Sequence, residues 1–96
     1  MFRLVTWNVQ WFLGLDGRVE PARVIAHARS LADFDVLCVQ ELADNYPDPR
    51  LEGNDGGDQF AQLAALLPGY TVIHGVGTDH PADDGRRRRF GNAIAT

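Results

Sequence analysis

The sequence has 96 residues and a formal net charge of −4, and its length suits one small domain. Its longest apolar stretches, at 36–39 and 61–67, are too short to cross a bilayer, and the first residues lack the charged and apolar regions of a signal peptide. The negative charge argues against a protein that coats duplex nucleic acid, but it allows an enzyme that handles phosphate locally. Because Cys38 is the single cysteine, no internal disulfide can form, and we expect a cytoplasmic protein.

The first part of the chain predicts a strand, a helix and a second strand. Residues 4–9 form an apolar and β-branched run that turn-forming residues follow. Pro21 suits the first turn of a helix, and apolar residues recur from there to position 32 at the spacing of one helical face. Four consecutive apolar residues at 36–39 are closed by Gln40 and Glu41, a pattern typical of a strand that is covered on both faces.

A long loop and a second helix are predicted next. Turn-forming residues crowd positions 43–57 and leave no periodic apolar face, which indicates a loop. Asp58 is placed to cap a short amphipathic helix, and the Pro-Gly pair at 68–69 ends that helix.

The end of the chain predicts two more strands. Residues 70–76 alternate weakly as a third strand, 77–89 form a second polar loop, and 90–96 form a fourth strand. The predicted order is therefore β-α-β-α-β-β in an α/β fold. Because the last strand runs to Thr96 without a turn or cap, we expect a truncated domain in which this strand is an unprotected sheet edge.

Two polar residues, Asn8 and Glu41, each end an apolar strand. A helix between the two strands favours a right-handed parallel crossover, so both residues should emerge at the same carboxyl edge of the sheet. An amide and a carboxylate that meet there could share a hard cation and its waters. The alternative is structural: Asn8 would cap a turn and Glu41 would pair with an arginine.

Three segments of the chain together resemble successive signatures of the endonuclease/exonuclease/phosphatase superfamily, which includes DNase I-like nucleases, sphingomyelinases and inositol polyphosphate phosphatases. They are TWNV at 6–9, DVLCVQE at 35–41 and FGNAIAT at 90–96. The resemblance implies that residues 1–96 are the amino-terminal part of one such domain. The fold it implies is a four-layer α/β sandwich built on two mixed sheets.

The resemblance also implies roles for individual residues. Asn8 matches an asparagine beside the scissile phosphate, and Glu41 matches the glutamate that holds catalytic Mg²⁺ or Mn²⁺. Asn92 follows Gly91 at a strand-opening position beside the substrate cleft, and Gly allows close backbone approach there. Later family elements, an Asn-x-Asp segment and a terminal Asp-His pair, have no counterpart in the chain.

Four consecutive arginines at 86–89 immediately precede that strand. Arg88 and Arg89 are candidate substrate-binding residues that would grip phosphate, and the alternative is a solvated charge run. Trp7, Trp11 and Phe12 either stack on a base or belong to the core.

The resemblance implies a metal-dependent phosphoesterase whose substrate is a phosphate ester, either nucleic acid or a phospholipid or inositol head group. The isolated chain is expected to be inactive, because the water-activating groups are missing. A non-catalytic phosphate- or nucleic-acid-binding module is the alternative, and the sequence downstream of Thr96 would separate the two. A third interpretation treats the motifs as chance in a small α/β domain. The sequence does not predict the oligomeric state.

Overall fold

A computed structural model describes residues 2–96, in which two helices accompany one sheet of four strands. No helix among these residues is long and apolar enough to span a membrane. In chain order the elements are β1 (Leu4–Asn8), a short 3₁₀ turn (Gln10–Phe12), α1 (Pro21–Leu31), β2 (Val36–Asp44), α2 (Gln59–Leu66), β3 (Val72–Pro81) and β4 (Arg87–Ala95).

The sheet has the strand order β1-β2-β4-β3. β1 and β2 are parallel, as the intervening helix predicted, and β4 is antiparallel to both β2 and β3. The fourth strand therefore lies inside the sheet with a partner on each side. The expectation that it would form an exposed edge is wrong, because the chain turns back after β3 and β4 pairs between β3 and β2.

Side chains of both helices pack on one face of the sheet. Leu37 and Val39 of β2 and Ala93 and Ala95 of β4 are almost fully buried on this face. They join one apolar core with Ile25 and Ala28 of α1 and Phe60 and Leu63 of α2. This gives one sheet layer and one helical layer, and the four-layer sandwich stays a prediction.

Asp58 caps α2 as its position predicted. Its Oδ1 accepts hydrogen bonds from the backbone N–H groups of Phe60, at 3.0 Å, and Ala61, at 3.3 Å. These bonds satisfy donors that the first helical turn would otherwise leave unpaired. The cap fixes the start of α2 beside the end of β2, where the two form an isolated bridge between Asp44 and Asp58.

The predicted polar loop at 77–89 is largely wrong. β3 continues to Pro81 and β4 begins at Arg87, so only a short turn separates the two strands. β3 is exposed from Ile73 onward, so the sequence carries no alternating apolar signal there. We call the paired segments 78–81 and 87–90 the exposed arm. Backbone pairing and a cross-strand ion pair at 2.8 Å between Asp79 and Arg87 stabilise it. The predicted loop at 43–57 also begins later, because β2 extends to Asp44.

Candidate functional site

The parallel pairing of β1 and β2 places Asn8 and Glu41 one position apart in register. Asn8 is paired in register with Gln40, the residue before Glu41, and the Val9 N–H donates to the Gln40 carbonyl at 3.1 Å. Asn8 is the last residue of β1, and Glu41 directly follows the last residue of β2 that pairs with β1. The expectation that Glu41 ends its own strand is wrong, because β2 continues beside β4 to Asp44.

A β-bulge places Asn92 next to Glu41. The register between β2 and β4 shifts between Val39 and Leu42, and Glu41 adopts a positive φ of 63° within this shift. Its backbone N–H donates to Oδ1 of Asn92 at 3.4 Å. Bulges of this kind turn a side chain out of its ordinary alternation, and the left-handed backbone of a non-glycine residue carries strain. We call Asn8, Glu41 and Asn92 the strand-end site.

The Glu41 side chain is half-buried, and its carboxylate has no hydrogen bond or ion pair with any residue in the range 2–96. The structural alternative for this residue, a pair with an arginine, is therefore absent from the described part of the chain. A carboxylate in this state keeps its acceptor sites for a cation, for water or for a ligand.

Asn8 does have the structural role that the alternative proposed. Its Oδ1 accepts a hydrogen bond from the Gln10 N–H at 3.1 Å, which closes a short turn at the end of β1. Gln10, Trp11 and Phe12 follow with positive φ values of 46°, 46° and 60°. Three left-handed non-glycine residues in a row are strained, and the fully buried Phe12 ring anchors them.

Gln59 holds this strained turn against the sheet and was missed by the sequence analysis. Its buried side-chain oxygen accepts from the Ala43 N–H at 3.0 Å, and its nitrogen donates to the Trp11 carbonyl at 2.8 Å. The first residue of α2 therefore joins β2 to the turn after β1. Nothing local in the sequence marks a glutamine at a helix start for this role.

Arg89 belongs to an internal ion-pair cluster. Its guanidinium donates to Asp44 at 2.8 Å and to Asp58 at 3.1 Å, and it lies 5.1 Å from the centre of the Phe60 ring. The hydrogen bond to Asp44 raises the pKa of Arg89 above its ordinary value. The guanidinium predicted to bind substrate is thus held by two carboxylates of its own chain. We call Asp44, Asp58 and Arg89 the ion-pair cluster.

The other arginines of the run have different surroundings. Arg88 donates from Nε to the Asn45 carbonyl at 2.9 Å, and its guanidinium lies 5.1 Å from the centre of the Tyr46 ring. Arg87 pairs with Asp79, and Arg86 lies 3.7 Å from Oδ1 of Asp44. The four consecutive arginines therefore have different partners, and substrate binding by Arg88 and Arg89 stays a prediction.

Gly91 permits a close backbone approach, as the sequence analysis expected. A Cβ at this position would lie 2.3 Å from the Gly75 carbonyl oxygen and 2.8 Å from the Gly77 nitrogen. The neighbour is the backbone of β3 where its register with β4 shifts, so the requirement for glycine comes from strand packing.

The structure is similar to the crystal structure of an endonuclease/exonuclease/phosphatase from Beutenbergia cavernae. The match has a TM-score of 0.73 and 30% sequence identity, and it covers 99% of this chain. The resemblance to the endonuclease/exonuclease/phosphatase superfamily is confirmed. The chain spans 25% of that structure, a share consistent with the predicted correspondence to an amino-terminal portion. No protein-family model matches the sequence, and no curated protein does.

Within this endonuclease/exonuclease/phosphatase-like fold, the donor set at the strand ends fits a hard cation. Residues 2–96 contain no cluster of three or more His, Cys, Asp and Glu side chains that could enclose a metal. Mg²⁺ does not need one, because it keeps several waters and is bound through one or two carboxylates together with substrate phosphates. The unpartnered Glu41 carboxylate meets that requirement.

Proposed function

We propose that this chain contributes the metal-binding part of a phosphoester-hydrolysing site. Glu41 would hold Mg²⁺ or Mn²⁺, and Asn8 and Asn92 would stand beside it. The observation that carries the proposal is the Glu41 carboxylate, which has no protein partner in the described chain. Glu41 stands on β2 where the pairing with β1 ends and the register with β4 shifts. The similarity to an endonuclease/exonuclease/phosphatase structure supports the reaction class.

The hydrogen bonds at the strand ends suggest what each asparagine would do. The side-chain oxygen of Asn8 is used by the Gln10 N–H, and that of Asn92 is used by the Glu41 N–H. Each amide therefore has its NH₂ group left to donate. Two such donors near a carboxylate-bound cation would orient the oxygens of a phosphate group.

The bound metal ion would supply positive charge to the phosphate oxygens and to the leaving oxygen. The bulge at Glu41 would keep its carboxylate aimed at that ion, because the Asn92 side chain holds the bulged backbone. Both asparagine amides would then limit how the phosphate group can rotate. These residues bind and orient, and none of the three is a suitable base for an attacking water once the Glu41 carboxylate is committed to the metal.

For that reason the proposal includes inactivity of the 96-residue chain on its own. With Mg²⁺ or Mn²⁺ and a generic phosphodiester, we expect hydrolysis no faster than in the buffer blank. Turnover that disappears in Glu41→Ala would contradict this expectation while supporting the metal site. The complete four-layer sandwich and the identity of the phosphate ester are part of the proposal as well.

Metal binding tests the site without activity. Titration of the chain with Mn²⁺, followed by electron paramagnetic resonance, should detect one weak site. Glu41→Gln should weaken that site by about tenfold or more, because a neutral amide replaces the charged ligand. The matched control is Glu52→Gln, since Glu52 is exposed and pairs with Arg18 at 3.1 Å. Equal Mn²⁺ affinity in the two variants would overturn the proposed role of Glu41.

A further inference from the structure

A cleft with several aromatic side chains lies between the turn after β1, the segment that follows β2, and β4. It has a volume of about 480 Å³ and is lined by Trp11, Tyr46, Leu51, Arg88 and Phe90, among others. We call these five residues the aromatic cleft. Its volume is within the range of small-molecule sites, and such sites combine apolar walls with a few polar groups.

Three half-buried rings form much of the wall. Tyr46 and Phe90 meet edge to face, with 6.2 Å between their centroids and 80° between their planes. Trp11 is presented by the strained turn that Gln59 fixes through the Trp11 carbonyl. Because these contacts hold the rings in place, the rings offer apolar surface on which a planar group can stack at little entropic cost.

The cleft also holds a positioned positive charge. Arg88 is fixed by its bond to the Asn45 carbonyl and by the Tyr46 ring beneath it. Its terminal nitrogens make no hydrogen bond or ion pair to another residue in the described range. The nearby Asp48 carboxylate is bound by Arg50 at 2.9 Å, an interaction that lowers the pKa of Asp48. The charge left without a counter-ion in the cleft is therefore that of Arg88.

The cleft and the strand-end site share their supporting strands. Trp11 follows Asn8 by one turn, and Phe90 is paired in register with Ala43, two residues beyond Glu41. A cleft residue and a residue of the strand-end site are therefore two positions apart on each strand: Ala43 and Glu41 on β2, and Phe90 and Asn92 on β4.

We propose that the aromatic cleft binds one nucleotide unit, with its base against the rings and its phosphate toward Arg88. Stacking on aromatic side chains together with an arginine is the chemistry that recognises a base and its phosphate. The substrate of the proposed phosphoesterase would then be a nucleotide ester, and this step rests on the proposed function. Nucleotide binding itself does not depend on the metal.

The test is a calorimetric titration of the 96-residue chain in EDTA, so that metal binding plays no part. The probes are adenosine 5′-monophosphate, ribose 5-phosphate, inositol 1-phosphate and a short single-stranded oligodeoxynucleotide. The nucleotide should bind about tenfold tighter than ribose 5-phosphate, the difference that one stacked base provides. Tighter binding of the oligonucleotide would assign the site to a nucleic acid strand, and equal binding per unit would assign it to free nucleotides.

Substitutions of residues that line the cleft test whether the nucleotide binds there. Arg88→Gln and Phe90→Leu should each weaken nucleotide binding by about fivefold or more. The matched control is Arg87→Gln, because the neighbouring Arg87 pairs with Asp79 on the exposed arm. Circular dichroism of Arg88→Gln should match the parent chain. Equal affinity for nucleotide and ribose 5-phosphate, preference for inositol 1-phosphate, or equal losses in Arg88→Gln and Arg87→Gln would overturn the proposal. Mn²⁺ binding at Glu41 is measured separately, so its result would stand even if the chain did not bind the nucleotide.

Discussion

The ion-pair cluster and the strand-end site lie only a few residues apart on β2 and β4. The charged groups of the cluster pair with one another, whereas the Glu41 carboxylate of the strand-end site is unpaired within residues 2–96. In the cluster, Arg89 joins Asp44, which is 6% exposed, to the helix-capping Asp58. At the strand ends, Glu41 has no protein partner within residues 2–96. Paired charges hold elements together, whereas a half-buried carboxylate without a protein partner is available for a ligand. Substitutions in the two regions should therefore affect different measurements.

The largest effect is expected at Gly91, which lies on β4 between the two regions. Gly91→Ala would force the backbone of β3 to move, because the new Cβ would meet the Gly75 oxygen at 2.3 Å and the Val76 Cα at 2.8 Å. We expect the free energy of unfolding to fall by about 3 kcal/mol, measured by urea denaturation. Metal binding at Glu41 and the ion-pair cluster should be lost together at lower urea concentration than in the parent.

Gly75→Ala is the matched control for this prediction. A Cβ on Gly75 would lie 3.6 Å from the nearest backbone atom, the Asn92 oxygen, which is ordinary contact. If both variants unfold at the same urea concentration, the close packing at Gly91 does not determine stability.

A smaller loss of stability is expected when the ion-pair cluster alone is broken. Arg89→Met would leave the buried Asp44 carboxylate without its 2.8 Å partner, at a cost of about 2 kcal/mol in the free energy of unfolding. Mn²⁺ affinity should not change, since Glu41 makes no contact with the cluster. Thermal melting and Mn²⁺ titration of the same variant would check both statements.

The double variant Asp44→Asn/Arg89→Met sharpens the comparison. Neutralising the orphaned carboxylate should restore part of the lost stability, because the cost comes mainly from an unpaired buried charge. A double variant less stable than Arg89→Met would show that the two side chains contribute separately. Arg87→Met, which breaks only the exposed pair with Asp79, should change stability little.

The sequence predicted the elements that local patterns encode. The apolar runs, Pro21 and the Asp58 cap each act within one element, and the structure places β1, α1, β2 and α2 close to the predicted positions. The parallel pairing of β1 and β2 also followed from the helix between them. The register that places Glu41 one position beyond the partner of Asn8 follows from these features.

Features that depend on distant residues were not predictable in this way. The bulge at Glu41 requires pairing with β4, about fifty positions along the chain, and Gln59 acts through Ala43 and Trp11. Arg88 and Arg89 have different partners because successive side chains of a strand point to opposite faces. Their segment has the composition of a loop, so the sequence did not predict this strand. The exposed arm has no buried face, so no hydrophobic pattern could reveal it.

The smallest predicted effect concerns an ion pair that is exposed, in contrast to the buried cluster. Arg23 donates two hydrogen bonds to Asp16, at 2.7 and 3.0 Å, and both side chains are at least 40% exposed. These bonds, followed by one from the Arg18 N–H, lower the pKa of Asp16 from its ordinary 3.8 to about 2. A carboxyl group whose pKa is lower in the folded state favours folding when it is ionised. Its contribution is therefore complete above pH 3.8 and is lost as the pH falls through about 2.

Asp16→Asn should accordingly lower the melting temperature slightly at pH 7, and the difference from the parent should shrink as the pH falls from 3.8 toward 2. Salt should reduce the difference at pH 7, because an exposed pair is screened by solvent ions, and this separates it from the Arg89→Met effect. Asp33→Asn serves as the control, since Asp33 is exposed and forms no ion pair within the described chain. A difference between Asp16→Asn and the parent that stays constant from pH 7 to pH 2 would mean that Asp16 stabilises the turn through its shape and hydrogen bonds, without a contribution from its charge.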